Sequence, residues 1–279
     1  MKKACVIGWP ISHSRSPLIH NHWLKHYGIS GIYKRVPVEA ANLSAFLTDL
    51  ANAGYAGCNV TLPHKEAAFQ LVRAADENTR RLGVVNTVFM RDGHLFGTST
   101  DGEGFIANLH AGAPTLTLKN ARAVVLGAGG AAMAIVGALL DEGVAEIGLA
   151  NRSFDRSQQL RRNFGSLVKP ANWEDREDIL SDCAVLVNTT SLGMGGQPTL
   201  EIGLAKLPAH AVVSDIVYFP LETALLRRAA QLDLATVGGL GMLLHQAVRG
   251  FELWFGTRPA VTQPLYDLVA HDIDPGYTP

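Results

Sequence analysis

A chain of 279 residues, 47% hydrophobic and 18% charged, is long enough to bury two cores and has the balance of an ordinary globular protein. A formal net charge of −1 gives no basic footprint for nucleic acid or for an anionic membrane surface. Three widely spaced cysteines, Cys5, Cys58 and Cys183, do not make a disulfide framework and fit a reducing compartment, where each acts as a small packing residue.

The amino terminus, MKKACVIGWP, starts basic, but its apolar run is too short for a signal peptide, so the expected location is the cytoplasm. ACVIG reads as a strand. Ser16 before Pro17 marks the cap of a helix that runs to about Tyr27 and stops at Gly28. IYKRVPV gives a second strand, and Leu43, Phe46, Leu47 and Leu50 fall at helical spacing before Gly54. AGCNVTL is the third strand; Asn59 and Thr61 share one of its faces, and Lys65 follows in the first turn of a helix. In VNTVFMRDGHLFGTS two short apolar runs flank Asp92-Gly93, a favoured hairpin turn, so an antiparallel pair closes the first half.

His110 to Asn120 reads as a connector rich in Gly, Pro and Thr. The expected division is therefore a first domain over 1–102, completed by 241–279, and a second over 103–240. Ala123 to Leu140 is uncharged over nearly a membrane span. Its glycines are better explained by a strand, a tight turn and a buried helix. After the second domain, Leu244, Ala247, Val248, Phe251 and Phe255 recur at helical spacing. One helix cannot fold alone, so it is expected to return to the first domain.

In AVVLGAGGAA the strand is followed by Gly127, Gly129 and Ala132 in a G-x-G-x-x-A arrangement that opens a helix. The first glycine permits the turn, the second lets backbone approach a pyrophosphate, and the small third residue lets helix and strand pack closely. Where an acid would hold the ribose of NAD, the next strand ends in Asn151, Arg152 and Ser153, with Arg156 one turn on. Guanidiniums and a hydroxyl suit a ribose phosphate, which favours NADP.

A nucleotide fold does not specify a reaction. In the first domain Ser14 and Ser16, Asn59, Thr61 and Lys65, Asn86, and Asp101 all fall at strand ends, where an open α/β sheet gathers its ligand-binding residues. Reducing a ketone by hydride puts negative charge on oxygen, so Lys65 as cationic donor and Asp101 as its orienting carboxylate form the expected acid–base pair. His20 and His22, two residues apart, do not share a helix face, and no metal site is expected.

The motifs GWPISHSRSPLIHN, GCNVTLPHKEAA, GVVNT, STDGEG, GAGGAA, NRSFDR, NTTSLGM, DIVYFPLET and GGLGMLLHQAVRGFELWFG, in this order, resemble those of the shikimate dehydrogenases over nearly the whole chain. The resemblance implies a two-domain α/β fold: a discontinuous mixed α/β substrate domain, a Rossmann-like doubly wound parallel-sheet NADP domain, and a cleft between them. It implies reversible NADPH-dependent reduction of 3-dehydroshikimate to shikimate in aromatic biosynthesis. Lys65 and Asp101 would be the proton-transfer dyad, Ser14 and Ser16 would bind the carboxylate, and Asn86 with Asp101 would hold ring hydroxyls. Thr61, Tyr218 and Gln246 would make further substrate contacts, supported by Asn59. Gly127, Ala128, Gly129, Gly130 and Ala131 would cradle phosphates. Asn151, Arg152, Ser153 and Arg156 would hold the ribose phosphate, and Ile216, Gly239 and Met242 would lie near the nicotinamide. Glu77 aligns with a position sometimes assigned to the cofactor and reads equally well as a solvated helix residue.

Two departures stand out. Ser99 replaces the amide of the usual Asn-Thr-Asp, and Val84 replaces the usual alanine near Asn86. A quinate-preferring paralogue and a non-enzymatic nucleotide sensor are the alternatives; retention of Lys65 and Asp101 speaks against the sensor. The expected partner is a small-molecule substrate, with no nucleic acid and no membrane, in a monomer or homodimer.

Overall fold

The computed structural model describes residues 1–278, which form two compact units. Met1–Asp101 with Gln246–Val269 makes the first, and Gly102–His245 with residues 270–278 makes the second. In chain order the first half comprises β1 (Lys2–Gly8), α1 (Ser16–His26), β2 (Gly31–Pro37), α2 (Leu43–Asp49), β3 (Tyr55–Val60), α3 (Lys65–Phe69), β4 (Arg73–Ala74), α4 (Glu77–Leu82), β5 (Thr87–Arg91) and β6 (His94–Thr98). Then come α5 (Asp101–Gly112), β7 (Arg122–Leu126), α6 (Gly130–Asp141), β8 (Glu146–Asn151), α7 (Phe154–Phe164), β9 (Val168–Asn172), β10 (Val185–Asn188), β11 (Val212–Asp215), α8 (Ala224–Ala230), β12 (Ala235–Val237), α9 (Leu240–Phe255) and α10 (Gln263–Ile273).

The first sheet has the order β2-β1-β3-β5-β6-β4. β1 pairs in parallel with β2 and β3, whereas β5 runs antiparallel to both β3 and β6. The β5–β6 hairpin turns at Asp92 and Gly93, both at positive φ, the geometry an Asp-Gly pair favours. Cys5 faces Cys58 across β1 and β3, and both thiols are buried and free in the core with Ile7, Leu47, Leu50 and Val88. The second half of α9 seals the other side: Trp254 donates its indole N–H to the Val88 carbonyl at 3.0 Å.

The second sheet is wholly parallel in the order β12-β11-β10-β7-β8-β9. Counted within this unit the order is 3-2-1-4-5-6, so the winding direction reverses between β7 and β10, where doubly wound sheets bind nucleotides. Ala123 and Val125 enter the core on one face, Val124 and Leu126 that on the other. This double burial explains the uncharged run through β7 and α6. Among the described residues no helix is long and apolar enough to cross a membrane.

Some local expectations are corrected. Ser16 is the first residue of α1 rather than its cap. Arg15 occupies the cap position without a side-chain hydrogen bond, and the Ser16 N–H is met by Ser14 Oγ at 3.3 Å. The connector from His110 begins as the last turn of α5, a helix the sequence reading did not anticipate, and α10 is likewise additional.

Candidate active site

The pairing of the first sheet decides what meets at its edge. β3 ends at Val60, and its antiparallel neighbour β5 begins at Thr87, so Asn86 stands beside the carboxyl end of β3: the Val60 N–H donates to the Asn86 carbonyl at 2.8 Å. β6 returns antiparallel to the same edge, where the Asn86 N–H donates to the Thr98 carbonyl at 3.1 Å. Three segments far apart in sequence thus deliver Thr61 and Lys65, Asn86, and Thr100 and Asp101 to one place. Gly8, ending β1, lies so close that a β carbon there would stand 2.6 Å from the Thr61 methyl.

Lys65 and Asp101 are the first residues of α3 and α5. Lys65 Nζ and Asp101 Oδ2 form an ion pair with side chains only 15% and 8% exposed. The other carboxylate oxygen accepts from Asn86 Nδ2 at 2.8 Å. Asn86 Nδ2 also reaches Gln246 Oε1 at 3.2 Å, and the Thr100 hydroxyl donates to the Gln246 carbonyl at 2.7 Å. An ammonium is therefore held by a carboxylate that is itself fixed by an amide, an arrangement able to give or take a proton at one oxygen. Gln246 and Thr100 join this cluster through contacts that sequence spacing could not reveal.

On the same edge Ser14 and Ser16 bring their hydroxyls within 3.2 Å of one another. Arg35 Nε donates to the Ser14 carbonyl at 2.8 Å, pinning the loop after β1. Asn59 is buried, with its oxygen accepting from Tyr33 and its amide donating to the Asn86 carbonyl and to Thr87. Glu77, at the start of α4, is exposed and paired with Arg80 at 2.7 Å.

The second unit holds its own cluster. Gly127 sits at φ +107°, and a β carbon there would lie 2.6 Å from the Thr189 hydroxyl, so both the turn and the packing call for glycine. Gly129 caps α6 without a side-chain hydrogen bond, no acid occupies the first turn, and a β carbon at Gly129 would meet nothing within 4 Å. Free helix N–H groups behind an open glycine fit a pyrophosphate. Ala128 is buried, and Gly130 and Ala131 form the first turn. At the end of β8 Asn151 Nδ2 donates to the Ser153 carbonyl at 2.9 Å, and exposed Arg152 and Arg156 flank the start of α7. These residues fit an adenosine ribose that carries a phosphate.

After β11, Ile216 donates its N–H to the Asn188 carbonyl at 3.1 Å. Gly239 packs so tightly on Ile216 that a β carbon would stand 2.2 Å from its carbonyl oxygen. Met242 is buried and Tyr218 half-buried nearby in sequence. Behind them Asp215, which sequence reading passed over, accepts from Asn188 Nδ2 at 2.9 Å, the Val217 N–H at 3.0 Å and the Thr223 hydroxyl at 2.8 Å. Burial pushes its carboxyl up to about 6 despite these donors. Among the described residues no group of three or more His, Cys, Asp or Glu side chains could hold a metal ion.

Sheet order, the glycine turn and the arginines after β8 define a protein with a dinucleotide-binding α/β unit, joined to a second α/β unit that carries a lysine–carboxylate pair. Family models described as the shikimate dehydrogenase substrate binding domain, shikimate / quinate 5-dehydrogenase and the shikimate 5'-dehydrogenase C-terminal domain match residues 6–88, 110–194 and 239–263. Shikimate dehydrogenase (NADP(+)) of Rhodopseudomonas palustris is 53% identical over 98% of this chain and 98% of its own. The chain belongs to the shikimate dehydrogenase family. Among solved structures, shikimate 5-dehydrogenase from Thermus thermophilus in complex with NADP(H) and shikimate superimposes with a TM-score of 0.85 at 33% identity, over 96% of this chain and 98% of that one. Quinate dehydrogenase from Corynebacterium glutamicum in complex with NAD gives 0.88 at 30% identity, over 96% and 98%.

Proposed function

We propose that the protein interconverts 3-dehydroshikimate and shikimate with NADP, as a cytoplasmic enzyme of aromatic biosynthesis. The observation that carries this reading is the Lys65–Asp101 ion pair, held by Asn86 at an edge that also presents Thr61, Ser14 and Ser16, in a chain 53% identical to an NADP-dependent shikimate dehydrogenase. NADPH, when bound, supplies the hydride to the carbonyl carbon. Lys65 Nζ gives a proton to the carbonyl oxygen as charge grows there, and in the reverse direction takes the hydroxyl proton. Asp101 keeps the lysine aimed, and Asn86 keeps Asp101 from turning away. The paired Ser14 and Ser16 hydroxyls suit the ring carboxylate, and Asn86 and Gln246 suit ring hydroxyls.

A second reading, preference for quinate, is favoured by the likeness to the quinate dehydrogenase. Purified protein assayed with shikimate or quinate, and with NADP or NAD, separates the two by reduced-nicotinamide absorbance. Shikimate with NADP is expected to give the highest kcat/KM. Lys65→Ala is expected to lower kcat by about 100-fold or more. Full activity in that variant would remove Lys65 from the chemistry, and equal turnover of quinate would transfer the assignment to the wider quinate/shikimate class.

A further inference from the structure

The amide of Asn86 can serve Asp101 only in one of its two orientations. With Nδ2 toward the carboxylate it donates at 2.8 Å; turned over, it would set oxygen against oxygen. What fixes the orientation must therefore be donors aimed at Oδ1. Three groups lie within reach: the Thr100 N–H at 2.9 Å, the Thr87 hydroxyl at 3.1 Å and the Thr100 hydroxyl at 3.2 Å. The single proton of the Thr100 hydroxyl goes to the Gln246 carbonyl at 2.7 Å, which leaves the first two as donors.

The Thr87 hydroxyl could in principle accept rather than donate. It already accepts from Asn59 Nδ2 at 3.1 Å, which leaves its proton for Asn86 Oδ1. Asn59 in turn has its own orientation set by the Tyr33 phenol, which donates to Asn59 Oδ1 at 2.6 Å. Burial holds the phenol protonated, pushing its titration far above the ordinary range. Tyr33, Asn59, Thr87 and Asn86 are all buried, so water cannot readily replace a lost donor.

We infer that Tyr33 and Thr87 are positioning residues for the lysine–carboxylate pair, acting through the Asn59 and Asn86 amides along one directional path: Tyr33 O–H to Asn59, Asn59 N–H to Thr87, Thr87 O–H to Asn86, Asn86 N–H to Asp101. The inference rests on the proposed role of Lys65 and Asp101 in proton transfer. The path begins on β2, crosses β3 and β5, and ends at the first residue of α5, so it ties that residue to the middle of the sheet. The Thr100 N–H remains as a second donor to Asn86, so breaking the path weakens the orientation without abolishing it.

The test uses the full chain and the variants Tyr33→Phe, Thr87→Val, Thr87→Ser and the double Tyr33→Phe/Thr87→Val. With shikimate and NADP, Thr87→Val is expected to lower kcat about tenfold, the effect of losing roughly one hydrogen bond's worth of orientation. Thr87→Ser keeps the hydroxyl and is expected to restore most of the rate. The double variant is expected to be no slower than Thr87→Val alone, because both changes cut one path. A Thr87→Val enzyme at full kcat, a serine variant as slow as the valine one, or losses that multiply in the double variant would each overturn the inference. A second readout does not depend on turnover. In nitrogen-15 spectra, the Asn86 side-chain N–H₂ pair, identified by its absence in Asn86→Ala, should shift and exchange faster with solvent in Thr87→Val and in Tyr33→Phe. Unchanged Asn86 resonances in both would overturn the path itself, whereas changed resonances in a protein inactive on shikimate would fault only the substrate assignment.

Discussion

The Trp254 indole occupies the space that a side chain on Gly57 would need. A β carbon there would stand 2.1 Å from Trp254 Nε1 and 2.2 Å from the Val88 carbonyl, the acceptor of the indole N–H. Gly57 thus lets α9 seat its tryptophan on the first sheet, and a single methyl would collide with rigid backbone on one side and a ring on the other. Gly57→Ala is expected to cost about 3 kcal/mol from overpacking and the displaced hydrogen bond, read as a lower midpoint in urea unfolding. A midpoint unchanged from the parent protein would mean that α9 is not fixed by this contact.

Arg152 and Arg156 stand exposed on either side of the start of α7, and the facing end of β8 offers Asn151 rather than an acid. A ribose phosphate gains charge-assisted hydrogen bonds from such guanidiniums, whereas an unphosphorylated ribose has nothing to offer them. Arg152→Ala and Arg156→Ala are each expected to raise KM for NADP about tenfold, as for one charge-assisted contact, while KM for NAD moves little. Steady-state kinetics with both cofactors decides the point; equal losses for NADP and NAD would place these residues outside phosphate recognition.

Short apolar runs made β1, β3 and the β5–β6 hairpin legible, because β1 and β3 are buried over consecutive residues, as inner strands are, and Asp92-Gly93 admits few other turns. The glycine turn after β7 was legible for a similar reason, since few residues tolerate φ +107° at Gly127. Helix α5 was not: Asp101-Gly102-Glu103-Gly104 opens it with two poor helix formers, and its packing residues Phe105 and Leu109 are buried only by tertiary contact. Lys65 and Asp101 could be named from their places at strand ends, but Gln246, 145 positions beyond Asp101 in sequence, joins them through a contact no local pattern encodes. Tyr33 and Thr87 read as ordinary strand residues, since which buried oxygen faces which amide follows from register across three strands.

Asp215 should leave a signature in the pH dependence of stability. Its carboxyl titrates at about 6 in the fold against 3.8 ordinarily, so between these values the folded protein binds more protons than the unfolded chain. Unfolding free energy therefore falls as pH rises from about 4 to 6, by about 3 kcal/mol in total from this group. The amide of Asp215→Asn can still accept from Asn188 and Val217 and carries no charge to desolvate. Its stability relative to the parent protein is expected to rise by about 3 kcal/mol between pH 4 and pH 7.5, measured by urea unfolding at each pH. A difference that does not vary with pH would show that Asp215 is not the titrating group.

His20 pulls the other way. Its ring stacks on Tyr33 at a centroid distance of 4.1 Å, with Trp23, Phe251 and Trp254 around it. Among the described residues neither ring nitrogen has a hydrogen-bond partner. Burial lowers its pKa to about 3 from 6.5, and the nearby Asn59 amide offsets part of that drop without reaching hydrogen-bond geometry. The unfolded chain therefore takes up a proton below pH 6.5 that the fold refuses. The stability contributed by neutral His20 is complete above pH 6.5 and is lost as pH falls toward 3, at about 1.4 kcal/mol per pH unit. His20→Phe keeps a ring in the aromatic cage and removes the titration, so any packing cost appears equally at every pH. Between pH 7 and pH 5 the variant is expected to lose about 2 kcal/mol less stability than the parent protein, and its acid-unfolding midpoint should move to lower pH. Parallel stability curves for the two proteins over this range would mean that His20 takes up its proton in the folded state as readily as in the unfolded one.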